Sequence, residues 1–192
     1  MNELLIKAIG FAMEKHGNQK RKLGGSPYLI HPLEAVTIAA TMTNDEEILA
    51  AAALHDTVED TNTSIETIKA EFGERVAKLV SSETENKYRG IPACETWKQR
   101  KTESLELLKN ADDEGTGIMW LSDKLSNMRS FYRNYVKEGD ALWQHFNNKN
   151  PEDHKWYYSS VAEILKPKLS DYPAWREYSH LVNLIFKTEI GK

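Results

Sequence analysis

The 192 residues carry 25 Lys and Arg against 29 Asp and Glu, a net charge of −4, and hold a single cysteine, Cys94. That length suits one domain with a core of ordinary size. The acidic balance argues against a nucleic-acid surface, no apolar run reaches the roughly 18 residues of a membrane span, and the start lacks the apolar stretch and cleavage site of a signal peptide. One cysteine excludes an internal disulfide and a cysteine-built metal site; a plain surface or half-buried thiol in a reducing, cytoplasmic compartment is expected.

Leu5, Ile9, Ala12 and Met13 recur at helical spacing. The basic run "KRK" at 20–22 leads into the turn-forming "GGSP", and a short basic run alone is an ordinary solvated face. Pro32 can open a helix through Ala35, Val36 and Ala39. Asn44 or Asp45 can cap the next stretch, "EEILAAAALHDTVED", predicted as one helix over 46–60 whose four alanines permit close approach of its neighbours. Thr63 with Glu66 forms a capping-box pattern before "IKAEF", and Gly73 ends that helix ahead of "ERVAKLVSS". The segment "ENKYRGIPACE" lacks apolar periodicity and is expected to be a mobile loop. Two longer helices, "CETWKQRKTESLELLKN" and "IMWLSDKLSNMRSFYRNYV", flank the expected loop "ADDEGTG". The tryptophan-rich tail, "ALWQHF", "EDHKWYYSSVAEIL" and "PAWREYSHLVNLIF", is assigned to helical packing without chemistry. No alternating strand-like run, repeat or low-complexity linker interrupts the pattern, so the chain reads as one all-α unit.

The chemistry concentrates in "ALHDTVEDT" at 53–61, directly behind the alanine run. Carboxylates beside an apolar face are costly unless paired or coordinating a metal. His55 and Asp56 are expected side by side on the helix, with Glu59 and Asp60 one turn further on. His31 precedes Pro32, and Asp123 interrupts the apolar stretch "IMWLSDKL". Two imidazoles and two carboxylates, His31, His55, Asp56 and Asp123, suit manganese, iron(II) or zinc better than calcium or magnesium. A divalent ion there would activate a bound water, with Glu59 or Asp60 placed to take up its proton. Arg21 and Lys22 stand ten and nine residues before His31, and Asn127, one turn beyond Asp123, would share its helix face. Lys124 and Arg129 are assigned to surface or packing.

The order H…HD…D resembles that of HD-domain phosphohydrolases. More narrowly, "HGNQKRKLGGSPYLIHP", "ALHDTVEDT" and "LSDKLSNMRS" resemble three blocks of the hydrolase domain of the RelA/SpoT-homologue family, over about residues 5–135. The resemblance implies an HD-domain helical bundle with a helical extension over about 136–192, making one domain of 1–192. It implies one manganese ion on His31, His55, Asp56 and Asp123, water preparation by Glu59 and Asp60, and nucleotide binding by Arg21, Lys22 and Asn127. The reaction implied is removal of pyrophosphate from the 3′ position of the alarmones ppGpp and pppGpp, as in the stringent response. The length leaves no room for the synthetase of bifunctional members, so a stand-alone small alarmone hydrolase is expected. The rivals are another nucleotide phosphohydrolase, such as an NADPH 2′-phosphatase or a nucleoside-monophosphate phosphatase, and a non-catalytic nucleotide sensor. The partner in every case is a small nucleotide; the oligomeric state is left open.

Overall fold

The computed structural model describes residues 3–191; Met1, Asn2 and Lys192 of the unit expected over 1–192 lie outside the described residues. In chain order the helices are α1 (Glu3–His16), α2 (Ile30–Ala39), α3 (Glu46–Leu54), α4 (Thr57–Asp60), α5 (Ile65–Phe72), α6 (Glu74–Glu83), α7 (Ala93–Lys109) and α8 (Glu114–Glu138). A 3₁₀ segment, Gly139–His145, leads to α9 (Pro151–Leu169) and α10 (Pro173–Phe186). Among the described residues there is no sheet, only an isolated bridge between Lys20 and Pro27, so the all-α expectation holds. No described helix is long and apolar enough to cross a membrane.

The centre of the bundle is α3, where every residue from Ile48 to Leu54 is buried. It packs against α1, α2, α6 and α8, and four consecutive methyl side chains, Ala50 to Ala53, keep it thin enough to be surrounded. Close approach is sharpest at Gly115 of α8, where an added Cβ would stand 2.7 Å from Ile48 Cγ1. Arg75 of α6 fixes this junction. Its guanidinium reaches Asp113 at 2.9 Å, Asp45 at 2.6 Å and Glu47 at 3.0 Å. Asp45 and Asp113 are themselves the N-caps of α3 and α8, accepting from the backbone N–H of Glu47 and Gly115. The other spine, α8, packs on α2 and carries α9 and α10 on its far side. Buried aromatic side chains tie this last layer together, with Trp175 Nε1 donating to the Ala162 carbonyl at 3.1 Å and Tyr178 to that of Tyr158 at 2.9 Å.

Three local expectations are corrected. The helix predicted over 46–60 breaks at His55–Asp56, because His55 Nδ1 and the Thr57 hydroxyl bond to the carbonyls of Ala52 and Leu54 at 2.8 and 2.7 Å and replace the backbone donors of a continuing helix. His55 and Asp56 therefore sit in a turn between α3 and α4. Ser64, not Thr63, caps α5 by accepting from Thr67 N–H, while Thr63 bonds Thr61. The loop expected as "ADDEGTG" shortens to 110–113, since the Asp113 cap starts α8 at Glu114. Pro32 is the third residue of α2, where its missing N–H costs no helical bond.

Candidate active site

Four side chains from three places converge. His31 comes from the first turn of α2, His55 and Asp56 from the break after α3, and Asp123 from the buried middle of α8. The break turns Asp56 toward His31 and His55 together. Asp123 Oδ1 lies 2.8 Å from His31 Nε2 and 3.5 Å from His55 Nε2, and Asp56 Oδ2 lies 3.4 and 3.1 Å from the same two atoms. His31, His55 and Asp123 each offer one ligand atom within 4.8 Å of the others, a cluster able to hold a divalent metal ion.

The tautomers follow from the partners. His55 Nδ1 faces a carbonyl, so it carries the hydrogen. The Ser126 hydroxyl spends its proton on Glu34 Oε2 at 2.7 Å, so it accepts from His31 Nδ1 at 2.8 Å. Arg129 reaches the Glu34 carboxylate at 3.2 Å while also gripping Glu177. Both Nε2 atoms are thereby left as acceptors, facing each other at 3.2 Å, an arrangement that needs a cation between them. In the metal-free protein a proton drawn onto His55 Nε2 supplies that positive charge, where a metal ion would replace it. Burial opposes charge on both rings and keeps the His31 pKa low, whereas Asp56 and Asp123 outweigh burial at His55 and draw its pKa well above the imidazole range. Burial also opposes ionisation of the carboxylates, but His55 chiefly holds Asp56 down, and Lys124 with the two histidines holds Asp123 down. The donor set, two neutral-capable imidazoles and two ionised carboxylates, fits a divalent ion.

A cleft of about 650 Å³ opens over this cluster, and its wall includes Arg21, Lys22, Glu59, Asp60 and Asn127 as well as His31, Asp56 and Asp123. His55, 2% exposed, is the one expected residue beneath the wall. Arg21 and Lys22 ride on a hairpin-like loop whose turn uses Gly24 and Gly25 at φ +72° and +63°, values that L side chains resist. Arg21 donates to Asn127 Oδ1 and Asn127 Nδ2 donates to Asp123 Oδ1, both at 2.7 Å, so the three form one chain from loop to ligand cluster. Burial first, then the charges of Glu85 and Asp56, push the Glu59 carboxyl up to about 7. Asp60 is held by Lys87 Nζ at 2.8 Å.

Some residues of the site were not read from the sequence. The Tyr28 hydroxyl bridges Asp56 Oδ2 at 2.5 Å and Asp60 Oδ2 at 2.9 Å while its ring stacks on His16; the only signal was its place between the basic run and His31. Lys124 is corrected from surface or packing to a buried ion-pair partner of Asp123 and, at 2.8 Å, of Glu83. The tail is corrected too, because His154, Tyr157 and Tyr158 line the cleft. Cys94 is exposed, as expected.

The HD domain family profile matches residues 8–151. The guanosine-3′,5′-bis(diphosphate) 3′-pyrophosphohydrolase of Aquifex aeolicus is 42% identical over 130 residues, 68% of this chain and 18% of its own. The zebrafish (Danio rerio) guanosine-3′,5′-bis(diphosphate) 3′-pyrophosphohydrolase MESH1 is 35% identical over 133 residues, covering 68% of this chain and 70% of its own. Among solved structures, one described as a metazoan ortholog of SpoT that hydrolyzes ppGpp superposes with a TM-score of 0.76 over 95% of each chain at 23% identity, which shows the shared fold. The chain spans less than a fifth of the length of the Aquifex relative.

Proposed function

This chain belongs to the HD domain family, and from that premise we propose that it hydrolyses the 3′-pyrophosphate of ppGpp or pppGpp, giving GDP or GTP and pyrophosphate. The observation that carries the reading is the pair of Nε2 acceptors facing each other at 3.2 Å between two carboxylates, on the floor of a cleft wide enough for a nucleotide. His31, His55, Asp56 and Asp123 would hold one Mn²⁺. When bound, such an ion supplies Lewis-acid polarisation of water and of a phosphoryl oxygen.

The remaining work falls to side chains of the cleft. Hydrolysis adds water between ribose O3′ and phosphorus; the water oxygen goes to phosphorus and a proton goes to O3′. Glu59, with a pKa near neutrality, is suited to accept the water's proton and pass one on. Tyr28 fixes Asp60 against the ligand Asp56, so that the water meets an oriented carboxylate. Arg21, Lys22 and Asn127 would hold the nucleotide, the Arg21 guanidinium lying 5.5 Å over the Tyr28 ring. Residues 1–192 are read as one hydrolase unit whose extension from about 136 closes one side of the cleft, and a single cysteine fits a cytoplasmic setting.

A nucleotide panel with Mn²⁺ and with chelator tests this. Turnover of ppGpp should exceed that of GMP, AMP and NADPH by about a hundredfold or more in kcat/KM and vanish with chelator. Preference for NADPH or a monophosphate would overturn the substrate, and binding of ppGpp without turnover would make the chain a sensor.

A further inference from the structure

Beyond Glu59 the cleft continues into a recess between α7 and α9 that the proposed reaction leaves unused. Glu85, whose side chain is only 7% exposed, lies there with Arg100 Nη1 2.5 Å from one carboxylate oxygen and Lys101 Nζ 2.5 Å from the other. Two cations share one carboxylate, so the trio carries a net positive charge away from bulk water. Lys101 also stands 4.6 Å from the centre of the Tyr157 ring, and of its three ammonium donors one is spent on Glu85.

Two further donors on the same wall have no acceptor. The Trp120 indole N–H and the Tyr157 hydroxyl are buried, both side chains being 1% exposed, and neither makes a hydrogen bond. An indole nitrogen can only donate, and leaving a buried donor unpaired is unfavourable. His154 Nδ1 is unpaired as well; since its Nε2 donates to the Asn148 carbonyl at 2.8 Å, it is an acceptor suited to a protonated phosphate oxygen. Lys124 adds no spare charge, because Asp123 balances it. Excess positive charge and several idle donors, within an aromatic wall, describe a receptor for an oxyanion.

From this we infer that the recess is a phosphate subsite, taking the phosphate group of the substrate that is not attacked, with Lys101, Trp120 and Tyr157 as its donors. The inference deepens the proposed reaction and rests on it only for which molecule brings the phosphate. A nucleotide phosphorylated at two places on its ribose would then be gripped at both ends, leaving the Arg21 loop to the nucleoside between. Binding energy far from the reacting bond fixes orientation and raises kcat/KM.

The test titrates inorganic phosphate into the full chain in the presence of chelator, for wild type, Lys101→Met and Tyr157→Phe, with melting temperatures alongside. Lys101→Met should bind phosphate at least about tenfold more weakly, and Tyr157→Phe, which keeps the ring and removes one hydroxyl, about three- to tenfold more weakly. Unchanged affinity in Tyr157→Phe overturns the subsite, even if Lys101→Met fails to fold. Guanosine alone binding more weakly to Tyr157→Phe, with phosphate unaffected, would also overturn it by making the recess a base pocket. With Mn²⁺, both variants should lose more kcat/KM on ppGpp than on guanosine 3′-diphosphate bearing a free 5′-hydroxyl; equal losses overturn it. Phosphate affinities falling as expected while the wild type cleaves no ppGpp would remove the proposed reaction and leave the subsite standing.

Discussion

Replacing Glu59 by Gln removes a carboxylate whose pKa stands at about 7, against 4.5 for an unperturbed glutamate, chiefly because it is buried. The native state holds that proton more tightly than the unfolded chain does. Glu59 is therefore without cost below pH 4.5, loses stability for the fold as pH rises from 4.5 to 7, and costs a constant amount above. The gap of about 2.5 pH units corresponds to about 3 kcal/mol, and with 23% of the side chain exposed solvent screens little of it. Glu59→Gln should match wild type in urea denaturation at pH 4.5 and exceed it at pH 8 by a midpoint shift of about 1 M, taking the usual urea slope of a domain this size. Glu83, pushed up to about 8 by burial, titrates over an overlapping range in both proteins and cancels in the difference. The same variant should lose about a hundredfold to ten-thousandfold in turnover, so that stability and activity move in opposite directions. Chelated protein should be used, so that metal binding does not enter. A variant no more stable than wild type at pH 8, or a difference constant from pH 4.5 to 8, would refute the buried, near-neutral carboxyl.

Metal removal should lower Tm, since metal at a hundred times its dissociation constant stabilises by about 2.7 kcal/mol; calorimetry with and without chelator checks it. His55→Ala should lose bound metal by elemental analysis, with activity falling as a consequence, whereas Glu59→Gln should keep its metal. Lys124→Met should destabilise by about 3–5 kcal/mol, because it strips the buried Asp123 carboxylate of its cation; chemical denaturation reads the loss. Tyr28→Phe should keep the fold and lower kcat more than it raises KM, because it frees Asp60 from Asp56 without removing a charge.

The ligand cluster was legible because each member was anomalous where it stood: Asp123 in an apolar run, His31 and the His55–Asp56 pair beside buried helices. The helix ends were legible where a single residue decides them, the Asp45 carboxylate at one and the positive-φ backbone of Gly73 at the other. The break at His55 was not, since the sequence there has good helical spacing and the ending depends on side-chain bonds that compete with the backbone ladder. Lys124 looked like a surface residue because its partner Glu83 is 41 positions away. The recess combines Lys101 with Tyr157, on helices separated in sequence by α8 and the 3₁₀ segment, and no local pattern marks such a meeting.

The most direct test of the account is the product of the reaction itself. Phosphorus NMR of ppGpp incubated with the Mn²⁺-loaded chain should show pyrophosphate and GDP appearing in equal amounts, with no orthophosphate. Release of orthophosphate, or an intact ppGpp spectrum after prolonged incubation with fully loaded protein, would contradict it.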